Sequence, residues 1–509
     1  MMKREPRKIA VWTLAAALGA AAIVPGYASA ASTTAAVSAA KANFAAADVQ
    51  VDAAVEQAMK QLAQQGVMQG YENGALRPNQ PLTQAEAAKL LVLALDLEAG
   101  GQDALSGQAE HQGKWYVSYV NTAIAHGLFD ATAAAKFQPN KPVTEPELAA
   151  MVAKGLERDT LSVRHWLSGA ADGKGNATRG ETARLLVTAE QSVRSAEAKI
   201  VSVKALDGIA LEVTMSGPMT LADETIEKSA ETFKFDGGVT IVNQPRLKTG
   251  SVNAYIVPVT KLEEGKSYTL TYKGEQTISF KGNGELIRFN SASQVTNDTF
   301  EVEALLSEGV VDYGYVISAY AGGRGADALV LEEGNTYQGK PLQIISSLRN
   351  RTAVLTPEGG QPINVSYVGY TQSTDGKQEP KFRLPAGTKL EAGVKYTVSA
   401  NWFQVANASF VAKDIAPLTI VSAQQTDAKT LTVTLAQDPM DELFAFRSVT
   451  LKGADGSTLT AQYRVQTRKG AVGIFDVMNG GELKSGVTYT VTPVGTWAVN
   501  AGEVTLAAK

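Results

Sequence analysis

One stretch of this chain occurs twice, 61 residues apart, and that repetition constrains the fold more than any other feature. Gly66, Pro78, Pro81 and Thr83 recur as Gly127, Pro139, Pro142 and Thr144. One offset shared by glycines, prolines and a threonine means a copied structural unit, not a chance of composition. A shorter third copy ends in Gly175-Asn176-Ala177-Thr178-Arg179-Gly180-Glu181, with Thr178 lying 34 residues after Thr144. A unit of this size cannot bury its apolar face alone, so the copies must pack on one another. Copies one and two each predict a first helix (55–66 and 115–127) closed by glycine in a left-handed cap. A Pro-Asn-x-Pro loop follows. Thr83, Thr144 or Thr178 then sits at an N-cap, with Glu86, Glu147 or Glu181 three residues on. That spacing is a capping box, in which each side chain satisfies an orphan backbone N–H at the helix start. Second helices are predicted over 85–97, 146–156 and 180–193. Copy three lacks a clear first helix: only 163–169 is available, with Trp166 as its core residue. Its second helix is expected to run on through 192–199 as a rigid link.

Residues 1–30 read as a secretory signal peptide. Lys3, Arg4, Arg7 and Lys8 precede an uncharged, mostly apolar run, and Ala28-Ser29-Ala30 supplies the small-x-small cleavage pattern. The run is shorter than the ~20 residues a membrane span needs. Cleavage removes four basic residues and one acidic one, taking the formal charge from −4 to −7. Residues 31–47 form an alanine-, serine- and threonine-rich spacer. No later stretch is apolar enough to span a membrane, so retention at the cell must rest on the folded part. The chain has no cysteine, which excludes thiol nucleophiles, cysteine-ligated zinc and disulfides. Its 47 basic and 51 acidic residues argue against a nucleic-acid partner. Three histidines leave little room for imidazole chemistry, and surface or partly buried roles are expected for them. No cofactor or metal is implied.

Near Lys199 the apolar period changes from helical to alternating, as in 210–215, 299–306 and 430–435. This part also repeats. Leu262 to Leu270, Leu390 to Val398 and Leu483 to Val491 each carry a turn glycine followed by a strand with tyrosine near its start: Tyr268, Tyr396 and Tyr489. The motif resembles the corner of immunoglobulin-like sandwiches where a tyrosine hydroxyl meets backbone. Three β-sandwiches are placed at 198–283, 284–414 and 415–509. The middle one is long for such a fold and must hold an insertion, expected around Tyr320 to Gly325. Short linkers predict a semi-rigid rod. The fold class is therefore multidomain α plus β, a helical unit followed by about three all-β units.

The helical copies, read as helix, glycine, loop, F-x-P-N-x-x-(I/V/L)-T-x-x-E and helix, resemble the S-layer homology module. Copy two is the best match, from Trp115-Tyr116 through Gly127 to Phe137 and Glu147. The repeats are bounded at 48–105, 106–158 and 159–197. The resemblance implies a pseudo-threefold helical trimer that binds secondary cell-wall polymer, a peptidoglycan-linked glycan, often through a pyruvylated sugar in clefts between repeats. It implies a T-R-A-E ligand motif in which the arginine fork meets a carboxylate through two charge-assisted hydrogen bonds. Here the motifs read Thr83-Gln84-Ala85-Glu86, Thr144-Glu145-Pro146-Glu147 and Thr178-Arg179-Gly180-Glu181. Arg179 alone keeps the arginine, and Glu145 would repel a carboxylate. The candidate ligand residues are Arg179, Glu181, Thr178, Gln84, Glu86, Thr83, Arg77, Trp115 and Trp166, with Arg184 as a further compensating cation.

Elsewhere the chemistry is thin. Gly322-Gly323-Arg324-Gly325 lacks the lysine and hydroxyl of a phosphate loop. Asp172 to Asn176 has a lysine where a calcium ligand belongs. The pairs Glu263-Glu264, Glu332-Glu333 and Asp441-Glu442 read as solvated turns. Trp402 and Trp497 read as core. The resulting expectation is a non-catalytic, exported protein of the bacterial cell wall. Self-assembly into a surface lattice, a tethered carbohydrate-active enzyme in the middle unit, and repeats that keep the fold but not the ligand remain as alternatives.

Overall fold

The computed structural model describes residues 52–71, 74–100, 104–105, 108–129, 137–167, 175–304, 306–314, 316–317, 329–370 and 379–509. The signal peptide, the spacer, the glycine loop at 322–325 and Asp172 to Lys174 lie outside the described residues.

Among the described residues six α-helices build the first part: α1 Ala53–Gln64, α2 Gln84–Ala94, α3 Val117–Ala125, α4 Glu145–Gly155, α5 Thr160–Leu167 and α6 Arg179–Glu190. Gly66 and Gly127 follow α1 and α3 at φ +76° and +69°, a backbone that costs glycine least. The helices share one core, including Met59, Leu62, Leu91, Val120, Leu148, Val152, Val163 and Leu186. Copy three does have a first helix, α5, which the sequence only hinted at. The predicted run of α6 through 192–199 does not form, because tertiary contacts claim that segment. The Ser192 hydroxyl donates to Val252 O at 2.9 Å, and Arg194 Nη1 reaches Met219 O at 2.7 Å and Glu224 at 2.6 Å.

The β-rich part holds three units. In the first, a four-stranded sheet orders Ile200–Asp207, Ala210–Met215, Ala254–Pro258 and Arg246–Leu247, and a three-stranded sheet orders Phe233–Phe235, Ser267–Tyr272 and Gln276–Lys281. The second and third each form an eight-stranded array with one topology. The third runs Ala498–Asn500, Leu418–Asp427, Thr430–Leu435, Val472–Val477, Thr458–Tyr463, Ser448–Gly453, Thr488–Pro493 and Thr505–Ala507. The second runs Phe403–Asn407, Ile287–Gln294, Thr299–Glu303, Lys381–Arg383, Ile363–Tyr367, Thr352–Pro357, Lys395–Ser399 and Ser409–Val411. Corresponding side chains do corresponding work. Tyr268, Tyr396 and Tyr489 are buried, and each hydroxyl accepts from the backbone N–H five residues earlier, at 3.0 Å in all three units. Trp402 and Trp497 are buried and donate to Thr352 O and Ser448 O, the first residues of matching strands.

The two arrays differ between their second and third strands in sequence. There the second unit carries a long segment, 304–351, with two small sheets of its own (Val310–Asp312 with Gln343–Ile345, and Thr336–Tyr337 with Lys340–Pro341). Its apolar side chains Val311, Tyr313, Leu331 and Ile344 join Ile256 of the first unit in a separate core. This extra material ties the first and second units together.

Asp207 lies fully buried at that seam, its carboxylate accepting from the N–H groups of Ile209 (2.8 Å) and Ile344 (3.3 Å). Burial pushes its carboxyl up to about 7 against the pull of those N–H groups and of Arg351, and Glu285 adds to the push. Above roughly pH 4 the unfolded chain has lost this proton while the folded chain keeps it. Stability therefore falls as the pH rises from roughly 4 to about 7 and levels off beyond. In Asp207→Asn the difference between thermal midpoints at about pH 5 and about pH 8 should shrink.

The second and third units meet across buried charges. Arg447 donates from Nη1 and Nη2 to the two carboxylate oxygens of Asp298, both at 2.7 Å. Lys381, fully buried, stands 3.0 Å from Glu301 and 3.1 Å from Asp441. Removing one partner of such a pair strands the other. Arg447→Met is expected to cost roughly 3–5 kcal/mol in a denaturant melt, and Arg447→Met with Asp298→Leu less than Arg447→Met alone.

Candidate functional site

The two Pro-Asn loops, the Gly175-Asn176 loop of copy three and the three cap threonines meet at the centre of the helical part. Leu82 N–H donates to Ala177 O, Ala177 N–H to Val143 O, and Val143 N–H to Leu82 O, each at 2.8 Å. The three residues are fully buried. One step along, the first N–H of each second helix crosses to another copy: Gln84 to Lys141 O (2.9 Å), Glu145 to Gly175 O (3.1 Å) and Arg179 to Gln80 O (2.9 Å). Local sequence prepares this closure. All three threonines form complete capping boxes, with Thr83, Thr144 and Thr178 paired to Glu86, Glu147 and Glu181. The caps fix where each helix starts, and the helix start fixes which neighbour its first side chain meets.

Gln84, Glu145 and Arg179 therefore occupy matching places with unlike chemistry. Gln84 Oε1 accepts from Gln138 N–H at 3.2 Å, on an exposed surface. Glu145 is buried and its Oε2 has no hydrogen-bond partner. Arg179 is only 4% exposed. Its Nε donates to Leu76 O (3.0 Å), its Nη2 to Gln69 O (2.9 Å), and its Nη1 to Glu86 Oε1 (2.9 Å). The fork that the sequence offered to a ligand is engaged by copy one itself. Glu86 gathers the cleft, for its Oε2 accepts from Thr83 while its Oε1 also accepts from the Tyr71 hydroxyl at 3.1 Å.

Around this centre, Arg77 stacks over the Tyr71 ring at 4.0 Å, beside Arg179 at 5.1 Å from the same ring. Burial raises the Tyr71 hydroxyl above its ordinary range. Trp115 stands 55% exposed, and Lys89 sits 5.8 Å from its ring and 6.0 Å from that of Tyr119. Lys89 Nζ also donates to Gln69 Oε1 at 2.9 Å, and burial followed by the charge of Arg179 lowers its pKa. Sequence reasoning missed Tyr71, Lys89 and Gln69. The available signal was local: Tyr71 follows the Gly70 turn, and Lys89 lies one helical turn after Glu86.

Two expected ligands are elsewhere. Trp166 donates from Nε1 to Gly250 O at 2.7 Å, docking α5 on the first β-unit. Arg158 and Ser162 hold the same turn, through Lys248 O, Ser251 O and Gly250 N–H. Trp166 is thus an interdomain contact rather than the wall of an open cleft. Arg184 donates from Nη2 to Leu167 O at 3.0 Å. The carboxylate pairs make internal contacts: Glu263 with Lys266, Glu264 with Gly284 N–H, Glu332 with Thr336, Asp441 with Lys381, and Glu442 with Arg468. Among the described residues no group of three or more His, Cys, Asp or Glu side chains could hold a metal ion.

Residues 48–88 and 108–149 match the S-layer homology domain. The chain is 23% identical over 314 residues to a surface-layer 125 kDa protein of Lysinibacillus sphaericus, covering 57% of this chain and 26% of that protein. It is also 23% identical over 229 residues to the S-layer protein sap of Bacillus anthracis, covering 40% of this chain and 28% of that protein. The chain thus spans about a quarter of the length of these relatives. Among solved structures, domains 1–6 of the surface layer protein SbsC align over 90% of this chain and 73% of that one, at 12% identity and a TM-score of 0.15.

The buried Arg179–Glu86 pair gives a stability test. Arg179→Met should destabilise the helical part by about 3–5 kcal/mol, and Arg179→Met with Glu86→Gln should recover part of that loss. Denaturant melts followed by helical circular dichroism would check both.

Proposed function

We propose that this chain, an exported bacterial cell-surface protein carrying S-layer homology modules, uses its helical part to hold a cell-wall glycan without a covalent bond. The helices and loops at the ring form one pseudo-threefold unit, and secondary cell-wall polymer binds in its clefts. The observation that carries this reading is the exposed Trp115 ring beside Lys89 at the edge of a cleft ordered by Arg179 and Glu86. An aromatic face with an adjacent ammonium suits a sugar ring bearing polar or anionic substituents. The buried Arg179 acts here by shaping the cleft. The β-units extend as immunoglobulin-like domains and catalyse nothing. Several weak cleft contacts add through effective concentration when one polymer reaches more than one of them.

A second reading, a subunit of a self-assembling lattice, is supported by the relatives named as surface-layer proteins. Ordered arrays of the purified chain in negative-stain micrographs would support it, and monomers at high concentration would count against it.

The test of wall binding is sedimentation of the full chain with purified cell walls, before and after acid removes the secondary polymer. Binding should be lost on stripping. Trp115→Ala should weaken pelleting by at least about tenfold with an unchanged thermal midpoint, since the ring is mostly in solvent. Equal pelleting with stripped walls would overturn the reading.

A further inference from the structure

Where the second and third β-units meet, one amine and two carboxylates are held together away from water. Lys381 begins the strand Lys381–Arg383, and its partner across the ladder is Glu301 in Thr299–Glu303. The Lys381 side chain is fully buried, with Nζ 3.0 Å from Glu301 Oε2 and 3.1 Å from Asp441 Oδ2. Asp441 belongs to the third unit, between Thr430–Leu435 and Ser448–Gly453. Among the described residues its carboxylate makes no other ion pair or hydrogen bond. Glu301 is anchored through its other oxygen, Oε1, by the Ser293 hydroxyl at 3.0 Å. Arg383, two residues on and so on the same face as Lys381, donates to Ala445 O at 3.0 Å. The segment that carries Asp441 is therefore pinned against the strand that carries Lys381.

A buried ammonium needs well-directed partners to offset its desolvation. Lys381 Nζ touches two carboxylates, yet neither contact is directed as a hydrogen bond. That is a poor salt bridge, but its spacing matches the roughly 3–3.5 Å of groups poised to react. We propose that Lys381 and Asp441 condense to an intramolecular amide that ties the second β-unit to the third, with Glu301 as the proton carrier. One proton passes from the Lys381 ammonium to Asp441, leaving a neutral amine and a carboxylic acid. The Nζ lone pair attacks Asp441 Cγ and forms the C–N bond. Glu301 takes a proton from Nζ and hands it to the Asp441 hydroxyl. The C–O bond breaks with its electron pair on oxygen, and one water leaves. Glu301 ends as the carboxylate it began as, so ammonium plus carboxylate have become amide plus water. Burial opposes the ammonium, but Glu301 and Asp441 outweigh it and raise the Lys381 pKa. The neutral amine is thus a minor form, and the bond forms slowly, once per molecule. A chain without cysteine has no disulfide to staple its units, and this amide takes that place. Like any cross-link, it restricts the unfolded chain between the two residues. The cross-link does not depend on the wall-binding reading.

The experiment is an intact-mass measurement on the purified full chain, followed by tryptic mapping. The mass should be one water below that of the linear chain. Mapping should recover a branched peptide joining 378–383 to 430–447, with Lys381 left uncut. Asp441→Ala and Lys381→Met should each restore the linear mass. Glu301→Gln keeps the shape of the side chain and removes the proton carrier. In that variant the mass deficit, followed during storage of fresh protein, should grow about 100-fold more slowly. The deficit is read first on the unaltered chain, so the test stands even where a variant misfolds. An unaltered chain that keeps the linear mass after long storage would overturn the cross-link. So would a water loss that maps to other residues, or one that survives in Asp441→Ala. An unchanged rate in Glu301→Gln would overturn the part given to Glu301.

Discussion

The helical part depends on a closed ring of backbone hydrogen bonds. Leu82, Ala177 and Val143 each donate to one neighbour and accept from the other, so no copy can satisfy its central strand-like residue without both of the others. These groups are fully buried, where an unmade hydrogen bond costs about 1–3 kcal/mol. The ring therefore makes three short, individually marginal helical hairpins interdependent. It also sets the geometry of the clefts, because the residue after each cap threonine must face the adjoining copy.

From that constraint follows the unequal chemistry of the clefts. A glutamine, a buried glutamate and a buried arginine stand in matching places. Only the arginine is fully answered by its surroundings, through two carbonyls and Glu86. Repetition of the backbone has thus been kept while the side chains at its joints have diverged. The same separation of frame and decoration runs through the β-units. The tyrosine-to-backbone bond and the tryptophan-to-strand bond recur unchanged, whereas the segment 304–351 is carried by the second array and has no counterpart of that length in the third.

Junctions between units carry specific polar contacts, beside the apolar core at the seam of the first and second β-units. The turn 248–251 receives Arg158, Ser162 and Trp166 from the helical part, while Thr249 bonds Tyr313 and Leu329 of the second unit. One turn of the first β-unit is thus held from two sides. The bidentate Arg447–Asp298 pair plays the matching part between the second and third units. Such contacts contribute less through net energy than through the penalty of separating them.

The sequence by itself determined the features whose causes lie within a few residues. A threonine with glutamate three positions later starts a helix, a glycine past the last turn ends one, and a turn glycine before a strand tyrosine makes the recurring corner. Their partners are close along the chain, so spacing reveals them. Tertiary structure alone decided which side chains are free. Arg179 is held by Leu76, 103 residues away, and Trp166 by Gly250, 84 residues away. The end of α6 at Glu190, against its helical pattern, was likewise fixed by acceptors at Met219 and Val252. Burial and occupancy depend on contacts between distant segments, and no local pattern encodes whether an arginine or a tryptophan that could meet a ligand has already met the protein.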